Sequence, residues 1–178
     1  MSDTTVVNCV FTQSLIGLTF AHMEANNVTF LHNYGSVSTN GISMIQSNAT
    51  LDSIYADNME NPNSISSEFI FGVHAGFISM NYQSTLNLKN STLKNLRGFN
   101  AASISSTGMS SMNISDGTVM SNLTSDYVNL EIVAPLFFMI SDSFLTNTNG
   151  IYIYGSLNMN DKVIISNVLH VPHSDSIL

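Results

Sequence analysis

The chain of 178 residues has one cysteine, three prolines, no tryptophan and only four basic residues. A single thiol, Cys9, excludes an intramolecular disulfide and any Cys-x-x-Cys metal site; its ordinary use is as a small apolar side chain in a core. The four basic residues, Lys89, Lys94, Arg97 and Lys162, stand against 12 Asp and Glu, for a net charge of −8. Binding to a phosphate backbone draws most of its affinity from neutralising phosphates, so this balance argues against nucleic acid and acidic membrane surfaces as partners. The longest apolar run, Ile132 to Ile140, is interrupted by Pro135 and falls well short of the roughly 18 residues that span a bilayer. The opening segment "MSDTTVVNCV" has no basic stretch followed by an apolar one, hence no visible secretory signal. No GxxxxGK[ST], GxGxxG, GxSxG or HExxH word occurs, and no cofactor is implied.

What is present is a hydrophobic fraction of 44% with only 9% charged residues, which a disordered chain does not show. The length suits a single domain over residues 1–178. There are 22 asparagines, and five lie in Asn-x-Ser/Thr sequons, at Asn27, Asn48, Asn90, Asn113 and Asn122. Chance alone gives about five in a chain this rich in Asn, Ser and Thr, so the sequons carry little weight for secretion.

The asparagines mark a repeat. Related four-residue words begin at Asn8, Asn27, Asn48, Asn90, Asp116, Asp142 and Asn167, with steps of 19, 21, 42, 26, 26 and 25. The step of 42 is twice 21 and predicts a degenerate copy near Glu68-Phe-Ile-Phe71. Upstream of the Asn or Asp stand apolar residues two apart, as in Leu86 and Leu88, Met112 and Ile114, or Phe138 and Ile140; another follows three residues later, as in Phe30, Leu93 and Val119. Period-two alternation is a strand with one buried face, and a phase change at Asn or Asp fits a bend, because these residues tolerate left-handed backbone angles. Further strand-like stretches adjoin glycines: 17–20, 41–45, 76–80 and 150–154; another covers 127–133. Only Ala21 to Asn26 offers a brief helical turn.

Short strands with polar corners every 19 to 26 residues predict an all-β fold: a single-stranded, right-handed parallel β-helix, or β-solenoid, of about seven to eight coils. The repeated Asn8, Asn27, Asn48, Asn90, Asp116, Asp142 and Asn167 are expected to stack as a structural ladder at one corner, their amides bonded from coil to coil. The repeat enters within a few residues of Met1 and leaves only eleven after Asn167, so the domain reads as an excerpt of a longer solenoid whose ends flanking coils or other subunits cover.

On these words the chain resembles the right-handed β-helix superfamily of pectate-lyase type, and Phe30-Leu-His-Asn33 and Phe144-Leu-Thr-Asn147 resemble the FxxN element of polymorphic outer-membrane-protein repeats. The glycine-rich GGA[ILV] partner of that element is absent. The resemblance implies the fold and an extracellular or cell-surface setting.

Glycan-cleaving members of that superfamily use clustered carboxylates, with Ca²⁺ and an Arg or Lys base in lyases. Arg97 lies one repeat from Asp116 and no Asp-x-Asp word occurs, which disfavours a lyase. Asp116 with Asp142, at one corner of successive coils, is the candidate hydrolase pair; the plainer use of both is as turn residues. His170-Val-Pro-His173, with Asp175 nearby, has a spacing at which metal ligands can meet, but no third ligand adjoins it, so no metal site is expected. His22, His32 and His74 are scattered surface candidates. Thr29, Thr50, Thr92 and Thr118 share a repeat position and could present ordered hydroxyls, although threonine is also simply a good strand residue. Met44, Met80, Met112 and Met139 sit at strand positions where methionine fills core gaps. The expectation is a non-enzymatic structural, adhesion or interaction scaffold with a protein or glycan partner; the alternative is a β-helix that binds or cleaves glycans.

Overall fold

The computed structural model describes residues 1–11, 14–35, 41–61, 76–98, 101–106, 110–125, 128–133, 137–141, 144–148, 151–154, 158–160 and 164–168. Among the described residues the protein is all-β: strands alone, with no helix and hence none long and apolar enough to cross a membrane. The strands form one 15-stranded and one six-stranded sheet, and neighbours pair in parallel.

Three walls organise these sheets. The first holds the start of His22–Leu31 followed by Asn48–Asp52, Thr85–Lys89, Ser111–Ser115, Phe137–Ser141 and Asn158–Asn160. The second holds Ser2–Val7, the end of His22–Leu31, Tyr55–Asn61, Thr92–Gly98, Val119–Ser121, Phe144–Thr148 and Ile164–Val168. The third is the smaller sheet, Ile16–Thr19, Ile42–Ile45, Ile78–Asn81, Ala101–Ser106, Val128–Val133 and Ile151–Tyr154. The chain visits the walls in turn and returns to each one strand further on; one such passage is called a row below.

Register explains why these residues form strands. On the first wall Met23, Ala49, Leu86 and Met112 fall in line, as do Ala25, Leu51, Leu88 and Ile114. All eight are buried, and the residues that alternate with them are half-buried or exposed. On the second wall Phe30, Ala56, Leu93 and Met120 make a matching inward line. Ile42 with Ile78, and Met44 with Met80, supply the third wall. The walls meet where the Phe30 and Phe77 rings cross edge to face, 5.2 Å apart at 68°. Each fully buried Leu, Ile, Met or Phe here is worth about 1.5–3 kcal/mol over the exposed side chain, so the core holds the rows together.

Two expectations are corrected. Ala21 to Asn26 is no helical turn, since residues 22–26 open the strand His22–Leu31. Met23 and Ala25 alternate into the core there, and pairing with Asn48–Asp52 overrides the weak helical preference. The spacing of the rows leaves the range of 19 to 26 residues at one place, between Ser53 and Asn90, where one long row stands in place of the two expected. First-corner positions lie at 3, 27, 53, 90 and 116, giving steps of 24, 26, 37 and 26. The degenerate copy expected at 68–71 lies outside the described residues.

Candidate functional site

The polar chemistry collects at the corners between walls. At the first corner Asp3, Asn27, Ser53, Asn90 and Asp116 all have left-handed backbone angles, φ between 48° and 56°. Their strand neighbours pair in register, so the five form one column. The Asn27 amide donates to Asp3 Oδ1 at 2.7 Å, and the Asn90 amide to Ser53 Oγ at 3.0 Å. The second corner repeats the device with Asn8, His32, Asn58, Asn95 and Asn122. Here Asn58 Nδ2 lies 2.7 Å from His32 Nδ1, and Asn122 donates to Asn95 Oδ1 at 3.2 Å. The third corner carries Phe20, Gln46, Tyr82 and Gln83, all left-handed.

Inside each corner a polar side chain closes the backbone of the preceding row. Next to the third corner, the backbone N–H groups of Ala21, Ser47 and Ser84 donate to the hydroxyls of Ser47, Ser84 and Ser110, one row on. The Ser47 and Ser84 hydroxyls donate in turn to Ile45 O and Asn81 O at 2.8 Å. At the first corner Ile54 N–H and Ser91 N–H use Ser91 Oγ and Thr118 Oγ1 in the same way. At the second, Cys9 N–H donates to Asn33 Oδ1 at 2.8 Å. The bend leaves a backbone donor without a strand partner, and burial makes that donor expensive unless a side chain accepts it.

Two ion-pair clusters knit rows on the outer faces. Asp52 lies 3.3 Å from Lys89 on the first wall; the Ser53 hydroxyl, ahead of Lys89 and Asn90 and against its partial burial, holds its carboxyl below the ordinary value. On the second wall burial alone would raise Asp57, but donors from Asn95, Tyr55 and Lys94, with the Lys94 charge, outweigh it and hold the carboxyl low. Tyr55 OH and Asn95 Nδ2 reach Asp57 at 2.9 and 2.7 Å, Lys94 at 3.3 Å, and the ammonium sits 5.1 Å from the Tyr55 ring centre.

The sequence-derived candidates separate on this frame. Asn27, Asn90 and Asp116 share the first corner, but Asn8 belongs to the second. Asn48 is at no corner: it begins the strand Asn48–Asp52, in register with His22 and Thr85, and Ser53 takes its expected place. Asn167 lies within Ile164–Val168, between Ser166 paired to Thr146 and Val168 paired to Thr148, on the second wall and away from the first corner. Asp142, His74, His170, His173 and Asp175 lie outside the described residues. Asp116 is exposed and accepts a bond from Ser115 Oγ at 3.3 Å. The four threonines do not share a face. Thr29 and Thr92 stand on either side of Tyr55 in one line, Thr50 is on the first wall, and Thr118 is buried. Cys9 is half-buried, no full core residue. His22 and His32 are at the surface, and Met44, Met80 and Met112 are in the core. Among the described residues no three His, Cys, Asp or Glu side chains are grouped to hold a metal.

The sequence reading missed the second and third corners and the inner hydroxyl rows. The second corner had a readable signal, since Asn8, His32, Asn58 and Asn95 each follow a first-corner residue by five positions. Asn122 follows Asp116 by six, with Gly117 at φ 74° as the extra residue. The serines left no signal, because serine is common in this chain on both faces. Compared with protein-family models, curated proteins and solved structures, the chain has no match.

Proposed function

We propose that the chain forms a right-handed parallel β-solenoid and acts as a non-enzymatic scaffold, presenting rigid walls to a protein or glycan partner at a cell surface or outside the cell. The observation that carries this reading is the use to which the polar side chains are put. Asp52, Asp57, Lys89, Lys94, Asn27, Asn90 and Asn95 each bond across from one row to the next. Groups tied into row-to-row bonds serve rigidity, and a rigid surface binds with little loss of conformational entropy. The surface setting comes from the resemblance to outer-membrane-protein repeats.

The experiment has two arms. Intact cells producing the protein are labelled with an impermeant amine reagent, and the purified chain is incubated with a panel of polysaccharides while reducing ends are counted. Surface labelling without new reducing ends is expected. Release of new ends, abolished by Asp116→Asn, would replace the scaffold by a glycoside hydrolase.

A further inference from the structure

The three corners do not use the same residues. Left-handed backbone at the first two is taken by Asp, Asn, Ser and His, but at the third by Phe20 (φ 52°), Gln46 (47°), Tyr82 (49°) and Gln83 (58°). A large aromatic side chain is a poor occupant of that conformation, and asparagine would relieve the strain. Burial does not compensate, since Phe20 is 75% and Tyr82 66% exposed. The pairing of the rows imposes the bend, but nothing in the packing calls for exposed aromatics at two positions of it, and that choice marks a surface with a use.

The ridge is firmly held. Phe20 N–H donates to Ile45 O at 3.1 Å, and Gln46 N–H to Asn81 O and Tyr82 O at 3.2 and 3.1 Å. Phe20 and Tyr82 are two rows apart, roughly 9.6 Å at a row spacing of about 4.8 Å, with the Gln46 amide in the row between. Beside the ridge on the third wall, Gly17 and Thr19 are exposed and an added Cβ at Gly17 would meet only open space, Ser43 is half-buried, and Ser79 and Asn81 in the Tyr82 row are buried. No ionisable group other than the Tyr82 phenol sits on the ridge itself.

We propose that this ridge binds a neutral oligosaccharide. Phe20 and Tyr82 offer flat apolar faces to the C–H sides of two sugar rings, while the Gln46 amide, both donor and acceptor, meets hydroxyls between them and the Gln83 amide those beside Tyr82. An aromatic, amide, aromatic order at row spacing suits a chain of rings that alternate apolar faces with hydroxyls. The ridge's lack of cations and the net charge of −8 select against acidic glycans. The inference adds a ligand class to the scaffold reading, and the two fail separately: absence of sugar binding leaves a scaffold without this site, whereas hydrolysis removes the scaffold reading alone.

The test is saturation-transfer NMR and calorimetry on the full chain with cellohexaose, laminarihexaose and maltohexaose, and with hexagalacturonate as the acidic comparison. At least one neutral hexaose is expected to bind, with Phe20→Asn and Tyr82→Asn each weakening it about tenfold. Asparagine suits the left-handed backbone, so both variants are expected to melt no lower than the wild type. Binding of none of the neutral hexaoses, unchanged affinity in the double variant, or tighter binding of hexagalacturonate would each overturn the proposal.

Discussion

Asn90 and Asn48 are both exposed, both open an Asn-x-Thr-Leu or Asn-Ser-Thr-Leu word, and stand in very different surroundings. Asn90 has φ 48° and its amide bonds Ser53 Oγ at 3.0 Å in the preceding row. Replacing it by alanine removes the short amide whose local hydrogen bonding makes left-handed backbone tolerable, which costs about 1 kcal/mol. It also removes one solvent-exposed hydrogen bond worth about 0.5 kcal/mol. The expected loss is about 1.5 kcal/mol, or about 3–6 °C in Tm for a domain of this size. Asn48 begins a strand, and Asn48→Ala should change stability by less than about 0.5 kcal/mol. Urea unfolding of the two variants, followed by far-UV circular dichroism, measures the difference. Equal losses, or a larger loss from Asn48→Ala, would refute the placement of the first corner at Ser53 and Asn90.

Three further outcomes are expected. A Cβ added at Gly41 would lie 2.5 Å from the Phe77 ring and 2.6 Å from Phe77 O, and Phe77 is fully buried against Phe30, so Gly41→Ala should destabilise by about 1–3 kcal/mol in thermal unfolding. Ser84→Ala leaves the buried Ser47 N–H without the acceptor at 3.3 Å and should cost about 1–3 kcal/mol, whereas Ser84→Thr, which keeps a hydroxyl, should cost less. Asp57 has a folded-state pKa below its ordinary value, so its contribution to stability is present above the ordinary carboxylate range and is lost as pH falls through the folded value. Unfolding titrations from pH 6 downward should therefore show an acid-side loss in the wild type that Asp57→Asn makes shallower.

Much of the fold was legible because burial enforces a period. Leu86 and Leu88 alternate and then slip phase at Asn90, and the register confirms Leu86 over Met112 and Leu88 over Ile114. The glycine-adjacent stretches at 17–20, 41–45 and 76–80 likewise align as Leu18, Met44 and Met80. The corners were legible only where Asn or Asp occupied them. Ser53 holds the same backbone at φ 56°, yet serine is no marker of left-handed conformation, so the neighbouring sequon at Asn48 drew the repeat five residues out of place. Phe20 and Tyr82 were invisible as corner residues for the opposite reason, since local preference opposes the conformation that the parallel pairing on both sides imposes.

The claim on which all this rests is that positions far apart in sequence lie one above another at a single bend. Ser53→Cys with Asn90→Cys, in a Cys9→Ser background, places two thiols in adjacent rows at a Cα separation of about 4.8 Å, within disulfide range. Mild oxidation followed by peptide mass spectrometry should find the 53–90 crosslink in the folded protein, and none between Asn48→Cys and Asn90→Cys. A crosslink at 48–90 with none at 53–90 would contradict the stacked arrangement.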